Sequence, residues 1–207
     1  MGFDLHGINP MIHTEVPKIM VNARGKDGWV KWEGMTQKDK DAYFEAKDKH
    51  DKENPGIYFR NNSWWWRPLW FYICTTCDDI LSEHQAGIGN YNDGVKIRKT
   101  KAKRIAARIR KLDKIGAISK FEQKYVKDRD EAIKHNKKVD KTMEKFKKAM
   151  ELKYKDGRPP AKYDKEDNKT WDRIYSTRMI QASYPFDRQN VLEFGIFCDE
   201  SGGFEIW

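Results

Sequence analysis

The sequence predicts a mainly α protein with minor β: a compact, aromatic-core helical domain with a long basic helical segment and short strands near its ends. Three observations carry this expectation. Apolar residues recur at helical spacing, as in Leu69, Ile73, Cys77 and Ile80 and again in Ala102, Ile105, Ile109 and Leu112. Apolar/polar alternation is confined to short runs such as Trp29-Val30-Lys31-Trp32. Only 38% of residues are hydrophobic against 35% charged, so the 13% that are aromatic must supply much of the burial.

The 207 residues suit a single domain spanning 1–207. Residues 1–10 read as a short strand or irregular start ending in the turn signal Asn9-Pro10. Thr36 and Asp39 have capping-box spacing before a weak helical stripe of Ala42, Tyr43, Ala46 and His50, which stops before Asn54-Pro55-Gly56. Pro68 suits a first helical turn, so a helix is expected from about Pro68 to Ser82, fed by a strand or loop over 58–67. Residues 87–94, Gly-Ile-Gly-Asn-Tyr-Asn-Asp-Gly, form a loop of types that tolerate unusual backbone angles.

A strongly amphipathic helix is expected over 98–115, ended by Gly116 in the left-handed conformation. Ser119 and Glu122 resemble a capping box opening the next helix. That helix would reach Tyr154, a length that predicts either a break or a projecting antiparallel pair. A charged linker follows at 161–169, then a short helix over 170–182. Asp187 caps a last helix to about Glu200, with Val191, Phe194 and Cys198 on one face. The apolar end Phe204-Glu205-Ile206-Trp207 is expected to dock.

The net charge of +9 is unevenly placed. Residues 96–155 hold 23 Lys and Arg against 8 Asp and Glu, so the rest of the chain is net acidic. Such a basic segment, 98–155, attracts phosphate-bearing partners, and nucleic acid is one candidate. No run of about 18 apolar residues is present, so no membrane partner is expected. Secretory and myristoylation signals are not recognisable; His6 stands where the latter motif needs Ser or Thr. Three cysteines make no disulfide framework and predict a cytoplasmic protein.

The least ordinary stretch is Tyr58–Trp70, with four of the eight tryptophans. Flat aromatic faces stack on bases, guanidinium groups pair with phosphate, and asparagine hydrogen-bonds base edges. The candidate ligand-binding set is therefore Arg60, Asn61, Asn62, Trp64, Trp66 and Arg67, with Tyr91, Asn92 and Asp93 as a second wall. On an extended backbone Trp64 and Trp66 share one face and Trp65 the other. Arg60 and Arg67 would contact phosphates, Trp64 or Trp66 would stack, and Asn62, Asn92 and Asp93 would read base or ribose. The competing reading makes these tryptophans core and the polar groups structural. Cys74-Thr75-Thr76-Cys77, with His84 and Cys198, has the residue types of a zinc site but reads more simply as core. No catalytic constellation or cofactor motif is found, so a binding protein without cofactor, metal or catalytic residue is expected.

Several blocks resemble a family of small phage-encoded cytoplasmic proteins: Met-Gly-Phe-Asp-Leu (1–5), Gly-Ile-Asn-Pro (7–10), the Tyr58–Trp70 run, Tyr-Pro-Phe (184–186) and Ser-Gly-Gly-Phe-Glu-Ile (201–206). The resemblance makes residues 11–53 an insertion between two blocks. It implies a host-cytoplasm setting in which small phage proteins sequester nucleotide signals of bacterial immunity. The expected function is a non-catalytic sponge for a cyclic nucleotide or ADP-ribose derivative, by analogy of plan. The alternatives are nucleic-acid binding by the helices over 98–154 and docking of the aromatic surface on a host protein. Oligomerisation is compatible with each.

Overall fold

A computed structural model gives the fold of residues 2–207; the Met1 end of the Met1-Gly2 signal lies outside the described residues. In chain order the elements begin with β1 (Gly2–Gly7), α1 (Lys18–Asn22), α2 (Gln37–Glu53), β2 (Tyr58–Asn62) and α3 (Ser63–Thr76). Next come α4 (Glu83–Ile88), β3 (Val95–Arg98), α5 (Lys99–Lys114), α6 (Ala117–Tyr154) and α7 (Lys165–Ser176). The chain closes with α8 (Arg188–Glu200) and β4 (Gly203–Ile206). The protein is mainly α with minor β, as the sequence predicts. No helix of the described residues is long and apolar enough to cross a membrane. The chain divides into two compact units, Met1–Ile118 with Asp187–Trp207, and Ser119–Phe186.

The first unit is built on an antiparallel sheet in the order β2-β1-β4-β3. Side chains alternate across it. Phe3, Leu5, Val95, Ile97, Phe204 and Ile206 are buried on the inner face, against the apolar stripes of α3, α5 and α8. Ile105 and Ile109 of α5 and Val191, Phe194 and Cys198 of α8 are buried as their spacing predicts. The C-terminus docks more deeply than expected: β4 lies between β1 and β3. Charged partners meet on the outer face, where Asp4 stands opposite Arg60 and Lys96 opposite Glu205. Their ion pairs measure 3.4 and 3.1 Å.

The tryptophan run departs from the expected strand. α3 starts at Ser63 rather than Pro68, because the Asn62 side-chain oxygen accepts the N–H groups of Trp64 (3.0 Å) and Trp65 (3.2 Å). That is an N-cap, and it starts the helix one residue later. Successive tryptophans then turn by about 100° instead of alternating, so Trp64 and Trp66 do not share a face. Trp66 and Trp70, four apart, both point into the core and stack with centroids 5.2 Å apart. Pro68 sits inside the helix, where its ring removes one intrahelical hydrogen bond. α3 also ends earlier than expected: Ser82 is the N-cap of α4, in a capping box with Gln85 that takes in the start of the expected loop.

Residues 11–53 leave the sheet after β1 and return before β2. Buried Asn54 closes the excursion: its side-chain oxygen accepts from the backbone N–H of His13 (2.7 Å) and Thr14 (3.1 Å). Its amide donates to the Thr14 hydroxyl (2.8 Å) and the His50 carbonyl (2.7 Å). The Thr36–Asp39 capping box opens α2 as the sequence predicts. The expected Trp29–Trp32 strand is reduced to an isolated bridge between Arg24 and Val30. Trp32 instead stacks on Phe44 of α2 at 5.4 Å.

In the second unit α6 is continuous over 38 residues, about 57 Å. It begins at Ala117, just after Gly116 (φ +70°) ends α5, and not at a Ser119 cap. No break occurs because residues 155–186 run back along the helix and cover it. Tyr163 stacks on Tyr154 at 5.2 Å, Met179 and Asn136 exchange two hydrogen bonds, and Phe186 meets Phe121 edge-on at 4.8 Å. Neither the break nor the antiparallel pair expected within 119–154 is present, and the expected linker at 161–169 contains the first turns of α7.

Burial separates the adjacent tryptophans energetically. Trp66→Ala is expected to lower unfolding free energy by about 3–5 kcal/mol. Trp65→Ala, at a partly exposed position, is expected to cost about 1 kcal/mol. Denaturant unfolding of both variants checks the order; equal costs would contradict the assigned faces.

Candidate functional site

The structure disperses most of the residues expected to form one pocket. Trp66 is 0% exposed, its indole N–H donates to the Gly89 carbonyl at 2.8 Å, and Phe3 stacks on its other side at 5.3 Å. It is a core residue and no ligand can stack on it. Asn62 is spent on the α3 cap, and the Asn61 amide donates to the Asn190 side chain of α8 at 2.9 Å. Arg60 pairs with Asp4 across the sheet. Trp64 and Arg67 lie on an exposed stripe of α3 continued by Phe71, at spacing i, i+3, i+7. In the turn after α4, Tyr91 is exposed and the Asn92 amide donates to the Gly2 carbonyl at 2.7 Å. No residue of the tryptophan run lines the groove that Asp93 borders.

Of the predicted set, Asp93 does line a groove. About 520 Å³ of space lies beside the edge strand β3, bounded by His84 and Gln85 of α4, Asp93, Lys96, Arg98 and Lys101. Gln85 organises it. As the third residue of its helix, its carbonyl oxygen completes the capping box and also accepts from the Lys101 ammonium at 2.6 Å. Its amide group donates to the Lys96 carbonyl at 2.9 Å, which covers part of the exposed sheet edge. Lys101 is therefore positioned by a neutral oxygen and keeps its full field. No ion pair of Arg98 occurs among the described residues, while Lys96 bonds Glu205.

Arg98 and Lys101, at the start of α5, line the groove. Arg98 is the N-cap and offers no side-chain cap, and the first turn holds no acid but Lys99 and Lys101. Helix N-termini carry a partial positive charge and unsatisfied N–H groups. Cations here stand against that field, an arrangement that an anion would relieve on both counts.

Sequence reasoning missed this group because Lys96, Arg98 and Lys101 read as part of a uniform basic segment, 96–155, and Gln85 carried no signal. A signal was present: Arg98-Lys99-Thr100-Lys101 opens a strongly periodic helix without Ser, Thr, Asp or Asn at the cap. Further along α5 the cations have structural work. Lys103 and Arg110 each bond Asp199 at 2.9 Å, and Arg104 and Arg108 converge on Asp79 at 3.2 and 2.9 Å. The Lys103 hydrogen bond, with the Arg110 charge, holds the Asp199 carboxyl below its usual range. Much of the basic charge on this helix is thus committed within the unit.

The cysteines are packing groups. Cys77 and Cys198 are buried and Cys74 is half-buried beside the α4 carbonyl of Ala86, while His84 stands exposed at the groove. Burial pushes the Cys74 thiol up to about 12 and Cys77 up to about 11, and Cys198 well above its ordinary value. Among the described residues no group of three or more His, Cys, Asp and Glu is arranged to hold a metal. At pH 7 Cys77 and Cys198 should resist a thiol-labelling reagent until the protein is unfolded, since the thiolate is the reactive form. Rapid labelling of either in the native protein would contradict their placement. No family model, curated protein or solved structure matches this chain.

Proposed function

We propose that the protein binds a small phosphate-bearing ligand of the nucleotide class in the groove beside β3. The observation that supports this reading is the acid-free start of α5, where Arg98 and Lys101, together with Lys96, line the open groove. Phosphate oxygens would accept from the Arg98 guanidinium, which binds such groups bidentately. Lys101 supplies a point charge already oriented by Gln85. Asp93 on the same groove accepts hydrogen bonds but repels phosphate, so it fits a ribose hydroxyl or a base N–H. A nucleotide combines these demands, whereas a bare polyanion would gain nothing from the carboxylate.

The biological form of the proposal is sequestration of a host nucleotide signal, and it draws on the resemblance to small phage-encoded proteins. The ligand contacts differ from those read in the tryptophan run: Asp93 is kept, and Arg98, Lys101 and Lys96 replace Arg60, Arg67 and Trp66. The polymer-binding reading loses support from α5, where Arg104 and Arg108 hold Asp79.

Calorimetric titration with cyclic dinucleotides, cyclic oligonucleotides and ADP-ribose derivatives tests the proposal. At least one should bind at micromolar affinity or tighter, and added salt should weaken it. Arg98→Glu and Lys101→Glu should each cost about tenfold or more in affinity, the loss of a charge-assisted hydrogen bond. Recovery of the ligand intact after incubation would distinguish a sponge from a hydrolase. If no member of the panel binds, or if duplex DNA binds while every small nucleotide fails, the proposal is wrong.

A further inference from the structure

A second cavity lies on the opposite part of the same sheet. The 11–53 excursion folds over the outer face of β1 and β2 and leaves about 470 Å³ between them, the size of a small-ligand pocket. Its walls are mostly apolar: Ile12, Val16 and Met20 on one side, Tyr43 of α2 and Ile57 on the other. Ile12 is 57% exposed, so the mouth of the cavity presents apolar surface to water.

The polar groups on the floor fall into two classes. The acids are already neutralised. Asp4 accepts from the Tyr58 hydroxyl and pairs with Arg60, and Asp51 bonds the Lys47 ammonium at 2.5 Å. Lys47 in turn sits over the Tyr58 ring at 5.0 Å. Besides His6, whose ring lies against Tyr58 at 5.2 Å, Arg24 and His50 are left over. Arg24, exposed at the cavity wall, takes part in no ion pair among the described residues. His50 is 4% exposed, and its Nε2 is a buried nitrogen without a hydrogen-bond partner. Its Nδ1 lies 4.0 Å from Asp51, beyond hydrogen-bond range. Buried polar atoms are ordinarily satisfied, so an orphan nitrogen in the wall of a cavity that also carries the Arg24 guanidinium marks a missing acceptor.

We infer that this cavity binds a small organic carboxylate with an apolar body, its carboxylate between Arg24 and the Nε2–H of His50 and its body against Ile12, Val16, Met20 and Tyr43. A free carboxylate offers oxygens to both donors, and Arg24 matches it with a planar fork. The neutralised acids remove the repulsion that an anion would otherwise meet. A ring or branched chain would cover the exposed apolar mouth. The site is independent of the groove beside β3, being built from different residues.

The test uses the full chain with phenylacetate and octanoate as probes, and phenylacetamide and inorganic phosphate as controls. Thermal stability and heteronuclear NMR shifts are the readouts. At least one of the two carboxylates should raise Tm and shift amides of α1 and α2, while both controls should leave these unmoved. Arg24→Gln should abolish the ligand-induced rise. His50→Phe should do the same without lowering the Tm of the unliganded protein, because the lost Nε2 bonds nothing there. Absence of carboxylate binding at millimolar concentration would overturn the inference. So would equal binding of phenylacetamide, or a His50→Phe variant that is destabilised yet binds normally.

Discussion

The indole of Trp66 connects three parts of the first unit that are far apart in the chain. One face stacks on Phe3 of β1, the other on Trp70 one turn along α3, and its N–H reaches the Gly89 carbonyl after α4. Trp70 repeats the contact, donating to the Ala86 carbonyl at 2.9 Å. The approach is so close that a Cβ on Gly89 would overlap the Trp70 ring, so only glycine fits there. These two indoles fix where α4 ends, and hence where Gln85 and Asp93 stand beside β3. The tryptophans influence the candidate site from behind, by placing its wall.

The sheet accounts for the rest of the arrangement. Its inner face is filled by three helices and a set of aromatic rings. Its outer face is polar, and two different structures complete it. Over β1 and β2 the excursion clamped by Asn54 makes an apolar cavity with neutralised acids. Along the edge of β3 a short helix and the start of α5 make a basic groove. Opposite chemistries thus arise on one surface, because the covering segments bring different residues to it.

The helices with strong periodicity were legible in the sequence. α5 and α8 carry their stripes, end signals and, for α8, the Asp187 cap that accepts from Gln189 at 2.9 Å. The tryptophan run was misread because Asn62 can serve both as a ligand-reading group and as a cap, and its capping role changes every face after it. The strand pairing of Phe204–Ile206 between β1 and β3 is a long-range contact that no local pattern encodes. The charge excess over 96–155 takes in α5, whose start lines the candidate groove. It did not say which cations face a groove, because Asp79 and Asp199, outside that segment, take up Lys103, Arg104, Arg108 and Arg110.

The separation of core tryptophans from ligand contacts is tested most directly by NMR on uniformly labelled protein titrated with inorganic pyrophosphate. The account predicts shifts in the backbone amides of Lys96–Lys101, with the Trp66 and Trp70 indole N–H signals unmoved and slow to exchange with solvent. Trp29, 77% exposed, should exchange rapidly in the same spectra. A Trp66 indole signal that moves on titration while the Lys96–Lys101 amides stay fixed would contradict it and return the site to the tryptophan run.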